Sequence, residues 1–96
     1  MNPALVYSDG KTYTNYIFFM EAKMLTIGTL SKKTGTKVQT IRYYEQIGLM
    51  PEPGRTEGGQ RRYDNAQLDR LSFIRHSRQL GFSLDAIREL LDLSDH

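Results

Sequence analysis

The sequence predicts a mainly α-helical domain, four helices with a small β-hairpin between the second and the third, and three observations carry that expectation. Apolar residues recur at helical spacing in four separate stretches. Glycine follows three of these, at Gly35, Gly48 and Gly81, where a helix end calls for left-handed backbone. The segment from Leu49 to Tyr63 carries Pro51, Pro53, Gly54, Gly58 and Gly59, a composition that no helix interior tolerates.

Residues 1–23 do not share the pattern. Tyr7, Tyr13, Tyr16, Ile17, Phe18, Phe19 and Met20 make them aromatic without a helical period. The Tyr16 to Met20 run is too short to cross a membrane, and no basic segment precedes it as a secretory signal requires. Met24 is itself a natural starting residue, so residues 1–23 are expected to be an accessory extension and residues 24–96 the domain.

From Met24 the reading becomes regular. Thr26 can cap a first helix over Ile27 to Thr34, with Ile27 and Leu30 on its buried face. A turn at Gly35 leads to a second helix from about Val38 to Ile47, on which Val38, Ile41, Tyr44 and Ile47 form the inner stripe, so Tyr44 reads as core. Arg55 to Tyr63 reads as two short arms around the Gly58-Gly59 turn. Asp64 caps a third helix, with Leu68, Leu71 and Ile74 inward, which runs to Leu80. Ser83 caps a fourth, carrying Leu84, Ile87, Leu90 and Leu91; Phe73 and Phe82, beside these leucine stripes, are expected in the core. A helix, a short turn and a second helix followed by a basic hairpin is a winged helix-turn-helix, whose second helix enters the DNA major groove.

Charge points the same way. The formal net charge is only +2, but Lys32 to Arg78 holds ten bases against five acids, whereas Gln79 onward carries a net −3. Positive charge is thus concentrated in the middle of the chain, the footprint of a polyanionic partner. The absence of cysteine excludes disulfides, thiolate metal sites and a cysteine nucleophile, and fits a reducing, cytoplasmic setting. His76 stands alone in mid-helix and His96 ends the chain, so neither has a metal-ligand spacing; no cofactor, metal or catalytic constellation is expected, and the chain does not read as an enzyme.

Four blocks then carry a resemblance: Ile27-Gly28-Thr29-Leu30 with Thr34-Gly35; Thr40-Ile41-Arg42-Tyr43-Tyr44-Glu45 with Gly48-Leu49; Arg55 with Gly59-Gln60-Arg61-Arg62-Tyr63; and Leu80-Gly81-Phe82-Ser83 with Ile87 and Leu90-Leu91. In this order and spacing they resemble the DNA-binding domain of the mercury-resistance-regulator (MerR) family, over Leu25 to about Leu91. The resemblance implies a bacterial transcription regulator that binds a palindromic operator as a homodimer. Such a regulator distorts an over-long promoter spacer so that RNA polymerase engages both promoter elements. It implies that the second helix presents Gln39, Thr40, Arg42 and Tyr43 to DNA, and the wing Arg55, Gln60, Arg61 and Tyr63 to the backbone.

Residue chemistry agrees. Arginine grips phosphate or guanine bidentately, glutamine pairs with an adenine edge, and tyrosine hydroxyls bond phosphate. Lys37 opposes the dipole at a helix start and is better explained by a nearby phosphate. Arg61 and Arg62 occupy successive strand positions, so one is expected to reach DNA, and the family pattern selects Arg61. Thr36 stands where the family usually has an apolar residue, Lys37 where it often has a capping serine and Gln60 where it often has tyrosine, and the family's long dimerisation helix is not in this sequence. The competing readings are a minimal excisionase-like architectural DNA binder and a protein-interaction module working through Leu84 to Leu91.

Overall fold

The computed structural model describes residues 24–95; the aromatic run Tyr16 to Met20 and His96 lie outside them. Four helices and two short strands follow in the order α1 (Ile27–Thr34), α2 (Val38–Gln46), β1 (Gly54–Arg55), β2 (Arg61–Arg62), α3 (Asn65–Gln79) and α4 (Leu84–Ser94).

Each boundary has a local cause. The Thr26 side chain accepts the Thr29 N–H and starts α1, and Gly35, at φ 70°, ends it by donating its N–H to the Ser31 carbonyl. Asp64 and Gln67 exchange backbone N–H bonds in a full capping box at the start of α3. Ser83 accepts the Ala86 N–H at the start of α4. Only α2 lacks such a device: Lys37 is its N-cap and makes no side-chain cap bond. The wing is antiparallel, with Gly54 opposite Arg62 and Arg55 opposite Arg61. Its turn closes through the Gly59 N–H on the Thr56 carbonyl, and Gly59 takes φ 82°.

The core lies where α1, α2 and α3 meet, with α4 against α3. Leu30, Ile41, Leu71, Ile74 and Ile87 are fully buried there, together with Leu49 and Met50 from the segment after α2. Two arginines fasten that segment from behind. Arg88 of α4 donates to the Ile47 carbonyl at 2.6 Å, and Arg70 of α3 donates to the Leu49 carbonyl at 2.9 Å. The first satisfies a carbonyl at the C-cap of α2 that has no helical partner, and the second a carbonyl of the loop that follows. A third attachment joins the base of the wing to the entry of α1: Leu25 and Tyr63 exchange both backbone hydrogen bonds, at 2.7 and 2.8 Å. The wing is thereby held at both of its neighbours in the chain.

Three expectations about burial fail. Phe73 and Phe82 are 42% and 44% exposed and Leu90 is 40% exposed, so none belongs to the core. The inner stripe of α3 is completed by Ser77, and α4 buries only Ile87 and Leu91. Helical spacing defines an apolar stripe, but how much of it is covered depends on the width of the facing element.

Candidate nucleic-acid interface

Helix α2 turns its Ile41 and Tyr44 side into the core. At about 100° per residue the remaining positions order themselves around the axis. Arg42, Gln39, Tyr43 and Thr40 then fall in that sequence along an outward arc of roughly 160°. Arg42, Gln39 and Tyr43 are exposed and Thr40 is half-buried. Tyr43 keeps its ring in place against Tyr44, with centroids 6.2 Å apart and planes tilted by 49°. Tyr44 itself is buried, as its period predicts.

Beside Arg42 the wing closes a groove of about 630 Å³, lined by Arg42, Arg55, Arg61 and Arg62 together with Thr26, Ile27 and Gln60. Four arginines thus line the groove with no acid among the lining residues. Arg55 fixes the wing tip by donating to the Gly59 carbonyl at 2.9 Å, which leaves other N–H groups of its fork for a ligand. Gln60 is exposed at the same tip. Arg61 and Arg62 both line the groove, so the expected split between one inward and one outward arginine is not what the wing adopts. Strands of two residues are too short to hold a strict alternation of long side chains.

Behind this groove sits the carboxylate of Glu45, on the same helix as Arg42. Glu45 accepts a hydrogen bond from the Tyr63 hydroxyl at 2.5 Å and pairs with the Arg61 guanidinium at 3.5 Å. Its side chain is 6% exposed. The Tyr63 hydroxyl is pushed well above the ordinary tyrosine range, first by burial, then by the hydrogen bond to Glu45 and its charge. Tyr63 was expected to reach the DNA backbone, and its position corrects that: it is fully buried, because the Leu25 pairing draws the end of β2 under the domain. The period of two that puts Arg61 and Tyr63 on one face was visible in the sequence; the carboxylate they share was not.

At the opposite edge of the arc, Lys37 is exposed at the start of α2. No acidic residue occupies the first turn of this helix. The dipole and the unpaired N–H groups there suit an anion. Of the nine residues proposed from sequence, Lys37, Gln39, Thr40, Arg42 and Tyr43 lie on α2 or its cap, Arg55, Gln60 and Arg61 on the wing, and Tyr63 in the core. Arg62 is the residue the groove adds. Among the described residues no His, Cys, Asp or Glu cluster could hold a metal ion, and no helix is long and apolar enough to cross a membrane.

Fold and surface together define a winged helix-turn-helix with an arginine-lined face. The chain belongs to the MerR HTH family of regulatory proteins, whose family profile matches residues 25–94. It is 49% identical over 71 residues to the mercuric resistance operon regulatory protein of Serratia marcescens, a match covering 74% of this chain and 49% of that protein. It is 54% identical over 70 residues to the HTH-type transcriptional regulator ZntR of Escherichia coli K12, covering 73% of this chain and 50% of that one. The chain therefore spans about half the length of the curated relatives it matches. Among solved structures it resembles the lead(II) complex of the transcription regulator PbrR691 from Ralstonia metallidurans CH34, at 53% identity and a TM-score of 0.68, over 75% of this chain and 56% of that one. It also resembles HiNmlR, a MerR family regulator lacking the sensor domain and bound to promoter DNA, at 31% identity and a TM-score of 0.68, over 74% of this chain and 54% of that one.

Proposed function

We propose that this chain is the DNA-reading part of a MerR-type transcription regulator, binding double-stranded DNA sequence-specifically with α2 in the major groove and the wing on the phosphate backbone. The observation that carries the reading is the juxtaposition of the outward arc of α2 with a groove of four arginines and no acid. Base edges are read by Gln39, Thr40, Arg42 and Tyr43, and phosphates are gripped by Lys37, Arg55, Gln60, Arg61 and Arg62. Residues 24–96 constitute this reading domain and residues 1–23 an accessory extension.

In its full-length context the protein acts as a cytoplasmic homodimer on a palindromic operator, by distorting the promoter, and meets RNA polymerase through that DNA. Exposed Phe73, Leu90 and Leu93, the last 74% exposed, favour an apolar surface that a dimer partner covers. The test is selection of duplexes from a randomised library by the 96-residue chain at low salt. Enrichment of a half-site or a dyad is expected, and Arg42→Ala should weaken binding to it by about 1–3 kcal/mol. No enrichment, or full affinity in Arg42→Ala, would reject the reading in favour of a protein-interaction role.

A further inference from the structure

A groove that shares no lining residue with the arginine face runs between α3 and α4. It holds about 560 Å³, and Pro51, Ala66, Phe73, Leu90 and Leu91 form its apolar wall. Phe73 and Leu90 stay exposed along it although both are large and apolar. Its rim is acidic, with Asp64, Asp69 and Asp95 set against Arg70, which is already paired with Asp95. Such a rim repels a polyanion, so this groove suits an apolar occupant and not a nucleic acid. Three observations name one. Leu25 and Tyr63 pair antiparallel, which sets Met24 opposite Asp64 and directs the chain before it past the start of α3, where the groove begins. The run Tyr16 to Met20 lies four to eight residues ahead of Met24. An extended chain of that length reaches about 13–29 Å, whereas the α3 wall from Asp64 to Phe73 is about 14 Å long. Finally, Tyr16-Ile17-Phe18-Phe19-Met20 holds three aromatic residues, isoleucine and methionine in succession without a charge.

We propose that the Tyr16 to Met20 run docks in the α3–α4 groove of its own chain, so that the accessory extension caps this face of the domain. The aromatic side chains of the run pack on Phe73, Leu90 and Leu91, and the Tyr16 hydroxyl stays at the polar rim. Lys23, next to Met24, brings a cation to the acidic end of that rim at Asp64 and Asp69. A tether this short holds the run at an effective concentration on the order of millimolar, so a contact too weak to join separate chains is enough here. Docking requires no DNA and stands apart from the arginine face. Phe73 and Leu90 also belong to the apolar surface assigned above to a dimer partner, so a seated run and such a partner exclude each other. Leu93 is not part of the groove wall and stays open to a partner in either case.

The test uses the 96-residue chain, whose lack of cysteine lets Asp69→Cys carry a single nitroxide on the groove rim. Amide spectra of that chain are expected to lose the Tyr16 to Met20 signals, which return when the nitroxide is reduced. A nitroxide at Gln39→Cys, on the outward arc of α2, should leave them intact. Adding Phe18→Ser and Phe19→Ser to Asp69→Cys should restore the signals and shift the Phe73 and Leu90 amides, with the circular dichroism unchanged. Mixing distinguishes the same chain from a second copy: isotope-labelled wild type, mixed with unlabelled nitroxide-bearing Asp69→Cys, should keep its Tyr16 to Met20 signals. Equal loss in the mixture would assign the groove to a second copy and overturn the proposal. Intact signals in the nitroxide-bearing chain would overturn it as well. So would a loss that persists with Phe18→Ser and Phe19→Ser, because the tether alone would then explain the proximity.

Discussion

Removing the Glu45 carboxylate is the perturbation that tests the site most directly, because that group touches the wing and the recognition helix at once. Glu45→Ala leaves the hydroxyl of a fully buried tyrosine without its acceptor. A stranded buried donor costs about 1–3 kcal/mol. The pair with Arg61 adds little, since that side chain is 24% exposed and a part-screened pair at 3.5 Å is worth about 0–1 kcal/mol. The sum is about 1–4 kcal/mol, and for a domain of this size each kcal/mol moves Tm by roughly 4–8 °C, so its midpoint of about 2.5 kcal/mol gives an expected fall of roughly 10–20 °C in a thermal melt followed by circular dichroism.

A double-mutant cycle with Tyr63→Phe then isolates the shared hydrogen bond, since Phe fills the same space without the hydroxyl. A bond to a charged acceptor should appear as a coupling of about 1.5–3 kcal/mol. DNA affinity of Glu45→Ala should also fall, although Glu45 lies behind the groove and faces no ligand. Additivity of the two substitutions within about 0.5 kcal/mol would refute the idea that this carboxylate ties the wing to α2.

Alkaline pH should expose the same bond. The folded-state pKa of Tyr63 lies above its unfolded value near 10, so the unfolded chain releases its proton first and stability declines as pH rises past about 10, by up to about 1.4 kcal/mol per unit. In Tyr63→Phe that part of the decline disappears, as a pair of pH-dependent urea melts would reveal. Asp64→Ala removes the side-chain half of the α3 capping box, the acceptor for the Gln67 N–H, and should cost about 1 kcal/mol, measured as a lower urea midpoint at unchanged slope. Thr36→Val deletes the unpaired buried hydroxyl at nearly constant volume and should raise stability by about 1 kcal/mol, read as a later thermal melt.

The helix boundaries were legible because their signals are local. Thr26, Asp64 and Ser83 each reach a backbone N–H three residues on, and Gly35 and Gly81 take positive φ where the helices end. The weakest boundary in the sequence, the start of α2 at Lys37, is also the one where no side chain caps the helix. What escaped sequence reading is non-local. Tyr63 was assigned to the DNA backbone because the family resemblance implies that contact for the wing. Its burial follows from Leu25, which lies 38 positions earlier and exchanges both backbone bonds with it. Glu45 and Tyr63 are separated by 18 residues, and no periodicity links a carboxylate on a helix to a phenol beyond a hairpin. Leu90 satisfied the apolar spacing and Phe73 stands beside such a stripe, yet both face outward, since spacing marks a stripe without saying what lies across from it.

These long-range ties bear on how such a domain would read DNA. Helix α2 is held at its end by Arg88 on the Ile47 carbonyl, the wing is held to α2 through Glu45, and the base of the wing is held to the entry of α1 through Leu25. Tilting the recognition helix therefore carries the wing arginines with it, because moving one alone would strand a buried hydroxyl or a backbone carbonyl. On the DNA-binding reading, Lys37 at the start of α2 and the wing arginines then sit at a spacing set by the protein core. A duplex whose groove walls do not match that spacing has to change shape to satisfy both, and the elastic cost depends on its sequence. Stiffness in the reading head is thus what would let bases that no side chain touches contribute to selectivity. Loosening the Glu45 tie should lower discrimination between duplexes that differ only at such positions, by more than it lowers affinity for a random duplex.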